Sequence, residues 1–310
     1  SKPTILVTFT FLIFFFIFPP TAWFEKWHRR LKFDGLWNKK SLWIFSAILI
    51  GFFVFGLSDP DFSAIMLKPD NVPIAGLIFL VYFFTWLSMS QAYRNDELVE
   101  AGKPVDEQYD APNDKVLVWP DLVYVELISI ILLSAFMLVW SIGLPAPLEE
   151  PANPASTPNP SKAPWYFLRL QEMLVYFDPW LAGIVFPMFI IFGMMAIPYI
   201  DMNPKGNGYY SFKERRIGIF IFMYGWLILW LFLIVIGTFF RGPNWNFFGP
   251  FEYWDPHKVV PLNNVNLSEY FWVKMFNTGL PSNIMLRESI GFVVVFAYMF
   301  MFPIFLAKTW

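Results

Sequence analysis

Runs of about 20 apolar residues alternate with polar connections along most of this chain, and such runs are typical of helices that cross a bilayer. We predict seven spans, at about 4–24, 42–57, 72–92, 122–144, 180–200, 217–240 and 290–307. The first continues from Ile5 to Phe24 without a small-residue cleavage site, so we expect a membrane helix there and not a cleaved signal peptide. The pattern predicts an all-α polytopic membrane protein.

The charges in the connections predict the orientation. Loops 25–41 and 201–216 are rich in Lys and Arg, and both fall on the same side of the membrane if seven helices are counted. The positive-inside rule places that side in the cytoplasm, together with the acidic loop 93–121. Segments 145–180 and 241–289 are then predicted to face the opposite, positive side.

Four segments follow from this pattern. Residues 1–93 form three predicted helices of unassigned role, and 94–115 form a cytoplasmic linker in which two prolines argue against a continuous helix. Residues 116–240 form a three-helix block, and 241–310 combine an aromatic interfacial segment with the last helix. We find no internal repeat.

Segment 145–180 is a proline-rich extracytoplasmic connection that we call the lid. Connections of more than about 15 residues without regular structure are uncommon unless they are functional or disordered. The lid ends in Pro164, Trp165, Tyr166 and Phe167, followed by Arg169 and Glu172. An aromatic, carboxylate-bearing lid at a membrane face suits a small apolar redox molecule that releases protons there.

Composition narrows the chemistry. Hydrophobic residues make up 57% of the 310 residues and charged residues only 15%, well below the share usual in soluble proteins. The net charge of −2 indicates no nucleic-acid partner. The chain has no cysteine, and its two histidines, His28 and His257, lie outside the predicted spans. We therefore predict that it ligates no metal, iron–sulfur cluster or haem of its own.

Four motifs follow one another along the chain: Trp119-Pro120-Asp121-Leu122-Val123-Tyr124, Glu150-Pro151-Ala152-Asn153-Pro154, Ser156-Thr157-Pro158 and Pro164-Trp165-Tyr166-Phe167. In matching order and spacing, they resemble the C-terminal half of cytochrome b, in the free-standing form often called subunit IV of cytochrome bc-type quinol oxidoreductases. The resemblance covers about 116–240. It leaves 1–93 without a counterpart.

The resemblance implies a non-haem-binding membrane subunit, without independent activity, that forms walls of quinone pockets. Quinol oxidation and proton release would occur on the positive side of an energy-transducing membrane, such as a bacterial inner membrane. The implied partners are the haem-binding N-terminal half of cytochrome b, a Rieske-type iron–sulfur protein or a substitute, and a cytochrome c subunit. Haem b, haem c and the iron–sulfur centre would all lie on those chains. In this family Pro164 to Phe167 would line the quinol site.

One departure from the family concerns the proton acceptor. The family's lid signature is Pro-Glu-Trp-Tyr, whereas the residues here are Ala163-Pro164-Trp165-Tyr166, so the usual glutamate is missing. Glu172 is the nearest carboxylate, about two turns along a helix that begins near Pro164. It either accepts the quinol proton or pairs with Arg169, three residues earlier, and only stabilises the helix.

Two further acidic residues have predicted roles. Glu126 lies one turn into the fourth span near the cytoplasmic face, where it either delivers protons to a quinone-reduction site or is a partly hydrated interfacial residue. Asp178 is predicted to cap the next helix.

Two other functions stay open. One is a structural anchor of a redox complex that has lost quinol turnover, which the missing glutamate favours. The other is a transporter, against which the spans lack paired charges and broken-helix glycine motifs.

Overall fold

The computed structural model describes residues 22–105, 117–146, 151–201, 211–261 and 266–301, with the single positions 5, 8, 9, 12, 148 and 304. Regular structure in this part of the chain is helical, and an isolated bridge joins Arg241 to Phe247. The helices are α1 (Ala22–Arg30), α2 (Lys39–Gly56), α3 (Pro60–Met66), α4 (Val72–Glu100), α5 (Val118–Gly143), α6 (Trp165–Tyr176), α7 (Leu181–Tyr199), α8 (Gly218–Phe240), α9 (Glu269–Met275), α10 (Ile284–Arg287) and α11 (Ser289–Phe296).

Five helices of the described part, α2, α4, α5, α7 and α8, are long and apolar enough to cross a membrane. The prediction of an all-α membrane protein is thus confirmed. Most of the predicted first span, 4–24, lies outside the described residues. The predicted last span, 290–307, is described up to 301 and at 304, and α11 with its continuation Ala297–Met301 forms its first part. The count of seven therefore stays a prediction.

Helix α4 is longer than the apolar pattern predicts. It continues from the expected end near residue 92 to Glu100, so the first part of the predicted linker is helical. The helix ends where Gly102 adopts a left-handed φ of 68° and Lys103 N–H donates to Leu98 C=O, an arrangement that satisfies the last carbonyls. No proline occurs between residues 93 and 103, so nothing stops the helix before Gly102 and Pro104.

The described part of segment 1–93 packs against α8 and is not a separate unit. One buried cluster near the start of α8 joins the C-terminal half of α4 to it, through Met89, Ala92, Tyr93, Phe212, Ile219 and Met223. A second cluster near the end of α8 adds α3, through Phe62, Met66, Ile74, Leu231, Ile234 and Phe239. Helix α8 is therefore braced along its length by residues that have no counterpart in the family resemblance.

Contacts with α4 and α3 lie at the two ends of α8. At its start Ser211 donates to the buried carboxylate of Asp96, and Lys213 forms an ion pair with Glu100. At its end Phe251 stacks on Phe62 of α3, at 5.4 Å between ring centroids. The 23 residues of α8 separate these ends by roughly 35 Å, about the thickness of a bilayer core.

Helix α5 differs from the other four helices that are long enough to cross a membrane, because none of its residues is buried. Its apolar side chains are exposed all round within the described chain. The lid follows directly, and its last part is docked on α8.

Candidate functional site

The lid chain is held in place just before it becomes helical. Pro164 stands immediately before α6, as the sequence predicts. The side chain of Gln171, on the second turn of α6, accepts a hydrogen bond from Ala163 N–H and donates one to Ser161 C=O, both at 2.8 Å. These two hydrogen bonds hold the end of the proline-rich lid segment back against α6.

Two contacts dock the lid on the end of α8 and the turn that follows. Lys162 Nζ donates to the carbonyl of Thr238 at 2.7 Å, and its ammonium lies over the ring of Trp254. Asn159 and Asn244 form a reciprocal pair: Asn159 Nδ2 donates to Asn244 Oδ1, and Asn244 N–H donates to Asn159 Oδ1. The lid and the segment after α8 are therefore in contact, as expected if both lie on the same side of the membrane.

Close packing between α6 and α8 depends on a glycine. A Cβ at Gly237 would approach Leu168 Cγ to 2.8 Å, so only glycine lets α6 lie this close without displacement. Beside this contact a buried cluster joins α6, α7 and α8, through Met173, Val175, Tyr176, Ala182 and Leu233.

A fully buried ion pair lies beneath α6. Glu172 is 0% exposed and Arg241, the first residue after α8, is 1% exposed. Arg241 Nε donates to Glu172 Oε2 and Nη2 donates to Oε1, both at 2.9 Å. Tyr176, one turn later, donates its hydroxyl to the same Oε1 at 2.9 Å. The carboxylate is thus surrounded by donors, which is the condition for burying a charge without a large penalty.

This pairing corrects one alternative from the sequence. Glu172 was expected to pair with Arg169 if its role was only structural, but its partner is Arg241, 69 residues away. Arg169 lies instead over the ring of Trp230 in α8. The spacing of residues along α6 cannot predict the pair of Glu172 and Arg241, because the pair forms only when α6 packs against the end of α8.

The turn after α8 is shaped around Arg241. Its Nη1 donates to the carbonyl of Trp245, which belongs to a short turn in which Asn244 and Trp245 both have left-handed φ near 57°. Phe248 N–H donates back to Phe240 C=O, which closes the turn. The turn after α8 is therefore a tight loop, and the guanidinium of Arg241 that binds Glu172 also stabilises this loop.

The predicted aromatic residues form an exposed edge at the start of α6, which we call the aromatic ledge. Trp165, Tyr166 and Phe167 are 48%, 47% and 54% exposed, and neighbouring rings are 5.8 and 4.7 Å apart between centroids. Within the described chain nothing covers these rings. The ledge and the Glu172 carboxylate lie on one short helix, with the ledge open and the carboxylate enclosed.

A cleft of about 390 Å³ lies beside the lid. Its walls come from the lid, α6 and the turn after α8, through Asn159, Pro160, Ser161, Gln171, Leu174, Val175, Asn244 and Trp245. The amide groups that line it bind one another, as described above. The cleft is therefore a seam of the docked lid, and the predicted quinone residues do not line it.

Burial shifts the titration of several lid groups. Burial, with repulsion from Lys68, lowers the pKa of Lys162 to about 8. Burial and the neighbouring Glu172 carboxylate raise the pKa of the Tyr176 hydroxyl well above its usual value. Asp178 accepts a hydrogen bond from Leu181 N–H at 3.2 Å, so the predicted cap is confirmed, and burial raises the pKa of its carboxyl.

The other predicted acidic residue lies apart from this site. Glu126 is exposed on α5 and does not meet the lid residues. At the opposite end of α8, Asp201 and Arg215 form a bidentate ion pair, and Asp96 accepts hydrogen bonds from Ser211 and Lys213. The described residues contain no group of three His, Cys, Asp or Glu side chains suited to a metal ion.

Sequence reasoning missed Arg241 and Tyr176. One indication was available for Arg241. Arg241 follows an apolar span directly, and a cation that is buried at such a position costs free energy unless a carboxylate from the same side meets it. Tyr176 stands one turn after Glu172, a spacing that brings side chains together on a helix.

Residues 151–249 match the family model described as cytochrome b (C-terminal)/b6/petD. The match takes in about a third of the chain, including most of the lid, α6, α7, α8 and the turn after α8. This part of the chain is therefore a C-terminal cytochrome b-type domain, as the resemblance predicts. The match reaches slightly beyond the expected end at 240 and does not include the Trp119-Pro120-Asp121 motif. No solved structure matches the chain.

Proposed function

We propose that this chain is a membrane subunit of a cytochrome bc-type quinol oxidoreductase and that it supplies walls of a quinone pocket. The observation that carries the proposal is the docked lid. Inside the segment that matches the cytochrome b family, a short helix presents an open aromatic ledge and encloses a carboxylate behind it. In this proposal the aromatic ledge provides a surface for a quinol, and the carboxylate of Glu172 provides a group that can bind its proton.

The redox centres in this proposal belong to partner chains. These are the haem-binding N-terminal half of cytochrome b, a Rieske-type iron–sulfur protein and a cytochrome c subunit. The exposed apolar surface of α5 leaves room for partner helices. The proposed location is an energy-transducing membrane such as a bacterial inner membrane, with the lid on its positive side.

Pro164, Trp165, Tyr166 and Phe167 are the proposed quinone-binding residues. Small-molecule pockets are mostly apolar, with a few polar groups that set orientation, and the ledge provides flat apolar faces for a quinone ring. Its rings are about half exposed, so a ligand or a partner chain can cover them. Glu126 is the proposed group for proton uptake on the cytoplasmic side.

Glu172 is the proposed proton acceptor, under a condition that its contacts set. A proton that stays on Glu172 would leave the buried guanidinium of Arg241 without its counter-charge, which is strongly unfavourable. The proton therefore has to move on toward water as the ion pair re-forms. The hydroxyl of Tyr176, which already donates to Oε1, is the nearest group that can exchange it.

The same ion pair supports a second candidate function, a structural anchor without quinol turnover. In that role Glu172 and Arg241 only hold the lid on α8, which agrees with the absence of the family glutamate before Trp165. The two candidates differ in whether the wild-type complex oxidises quinol, and removal of both charges then tests the role of Glu172.

The experiment compares Glu172→Gln with the double variant Glu172→Gln/Arg241→Met in the complex purified with its native partners. If Glu172 is the base, quinol oxidation falls about 100-fold or more in both variants, although the double variant holds its lid. If the pair only holds the lid of a working site, the double variant recovers turnover. If the subunit is an anchor without turnover, the wild-type complex itself oxidises no quinol. Haem and quinone contents of the same preparation test the larger proposal. A partner set without redox centres would refute it.

A further inference from the structure

Arg169 is a partly buried cation with no counter-charge among the described residues. It lies on α6, between the aromatic ledge and Glu172. Its guanidinium carbon is 3.4 Å from the centroid of the Trp230 ring in α8, and its Nε is buried without a hydrogen-bond partner. The nearest carboxylate along the helix, that of Glu172, is bound by Arg241.

Stacking alone does not satisfy this side chain. A guanidinium has five N–H donors around its edge, and a ring beneath its face leaves all five directed outward. A buried donor without an acceptor costs free energy comparable to a lost hydrogen bond. Burial also lowers the pKa of Arg169, in keeping with a cation that lacks a counter-charge. The site is therefore short of one acceptor, which has to come from outside the described chain.

The position of Arg169 indicates what kind of acceptor that is. It follows Trp165 by four residues, so the two side chains lie on the same face of α6, one turn apart. The ring of Trp230 fixes the plane of the guanidinium, and Trp230 itself packs on Trp226, at 5.1 Å between centroids. A planar donor group thus stands one turn below a half-exposed aromatic edge.

We propose that Arg169 donates a hydrogen bond to an oxygen of the quinone ring that lies on the aromatic ledge. This inference rests on the proposed function. A quinone carries its two oxygens at opposite edges of a flat ring, and a ring laid against the ledge can direct one of them toward Arg169. The guanidinium holds that oxygen in place and excludes ligands that lack an acceptor there. Arg169 is therefore a binding residue that sets the orientation of the ring.

The test measures quinol oxidation by the intact complex with two probes, decylubiquinol and 2,3-dimethyl-1,4-naphthoquinol. Arg169→Gln should raise KM about tenfold or more, since it removes a charged hydrogen bond to the substrate, while kcat at saturation changes little. Arg169→Lys keeps the charge but loses the planar donor, so its KM should be intermediate. Lys274→Gln is the matched control, because Lys274 lies over the ring of Tyr270 in another cation–π pair, which involves no residue of the lid.

Each outcome decides one point. Wild-type turnover with an unchanged KM in Arg169→Gln overturns the inference and leaves the proposed function standing. A wild-type complex that neither oxidises nor binds either quinol refutes the proposed function itself. Loss of a partner subunit from Arg169→Gln overturns the inference in favour of a partner carboxylate as the acceptor. If Arg169→Gln does not accumulate, the KM of Arg169→Lys decides.

Discussion

Replacing Arg241 by Met should loosen the lid helix α6 from the end of α8. The substitution keeps most of the side-chain volume but leaves the carboxylate of Glu172, which is 0% exposed, without its counter-charge. Three hydrogen bonds to that carboxylate and one to the carbonyl of Trp245 are lost. Removing one partner of a buried pair costs about 3–5 kcal/mol, because an uncompensated charge stays inside.

The absence of cysteine gives a direct assay for this loosening. Val175 lies on α6, is 3% exposed and packs in the cluster between α6, α7 and α8. A Val175→Cys variant carries one thiol, which the docked lid shields from a membrane-impermeant reagent. A cost of about 3–5 kcal/mol corresponds to roughly 10²- to 10⁴-fold more opening, and the labelling rate should rise accordingly.

A double-mutant cycle in the same reporter background tests the cause. Glu172→Gln and Arg241→Met should each increase labelling strongly, while the double variant should label much more slowly than either, because no unpaired charge remains. Glu252→Gln, which breaks the exposed pair with Lys258, is the matched control and should change the rate less than about fivefold. Single effects that simply add in the double variant would refute the argument from the buried pair.

Four further predictions follow from other features. Burial lowers the pKa of Lys162 to about 8, so between pH 8 and about 10.5 the unfolded chain holds a proton that the folded chain has released, and stability rises with pH; thermal unfolding of Lys162→Met should lack that rise. Gly237→Ala should destabilise lid docking by about 1–3 kcal/mol, whereas Gly225→Ala, which meets no atom within 4 Å, should not, as thermal unfolding of both can check. Single cysteines at Asn159 and Lys205 should be labelled from opposite sides of the membrane, and labelling of both from one side would contradict the seven-helix topology. The chain purified without partners should show no haem absorption, and a haem iron ligated by two of its side chains would overturn the assignment.

The features that sequence predicted well are those that local physics decides. An apolar run of about 20 residues spans a membrane whatever it packs against, so α4, α7 and α8 begin close to their expected positions. The cap at Asp178 depends on a backbone N–H three residues away. Each of these needs no knowledge of the rest of the fold.

The features that sequence missed depend on long-range packing. The ion pair of Glu172 and Arg241 joins residues 69 positions apart, and the helical spacing of Arg169 favoured the wrong partner. The extension of α4 to Glu100 was missed because its last turns are polar, although Asp96 is buried there against Ser211. In both cases a charged side chain behaves as a core residue, which periodicity of apolar positions does not reveal.

The bare surface of α5 bears on how the subunit is assembled. The lid is fastened to α8 through its own helix and the turn at Arg241, and the contacts that hold its described residues there include none from α5. Docking of the lid and placement of α5 are thus separate events, linked only by the connection between them. A copy that lacks its neighbours can complete the former and leave the latter undone. The amount of finished subunit in the membrane would then be set by the supply of whatever chain receives α5.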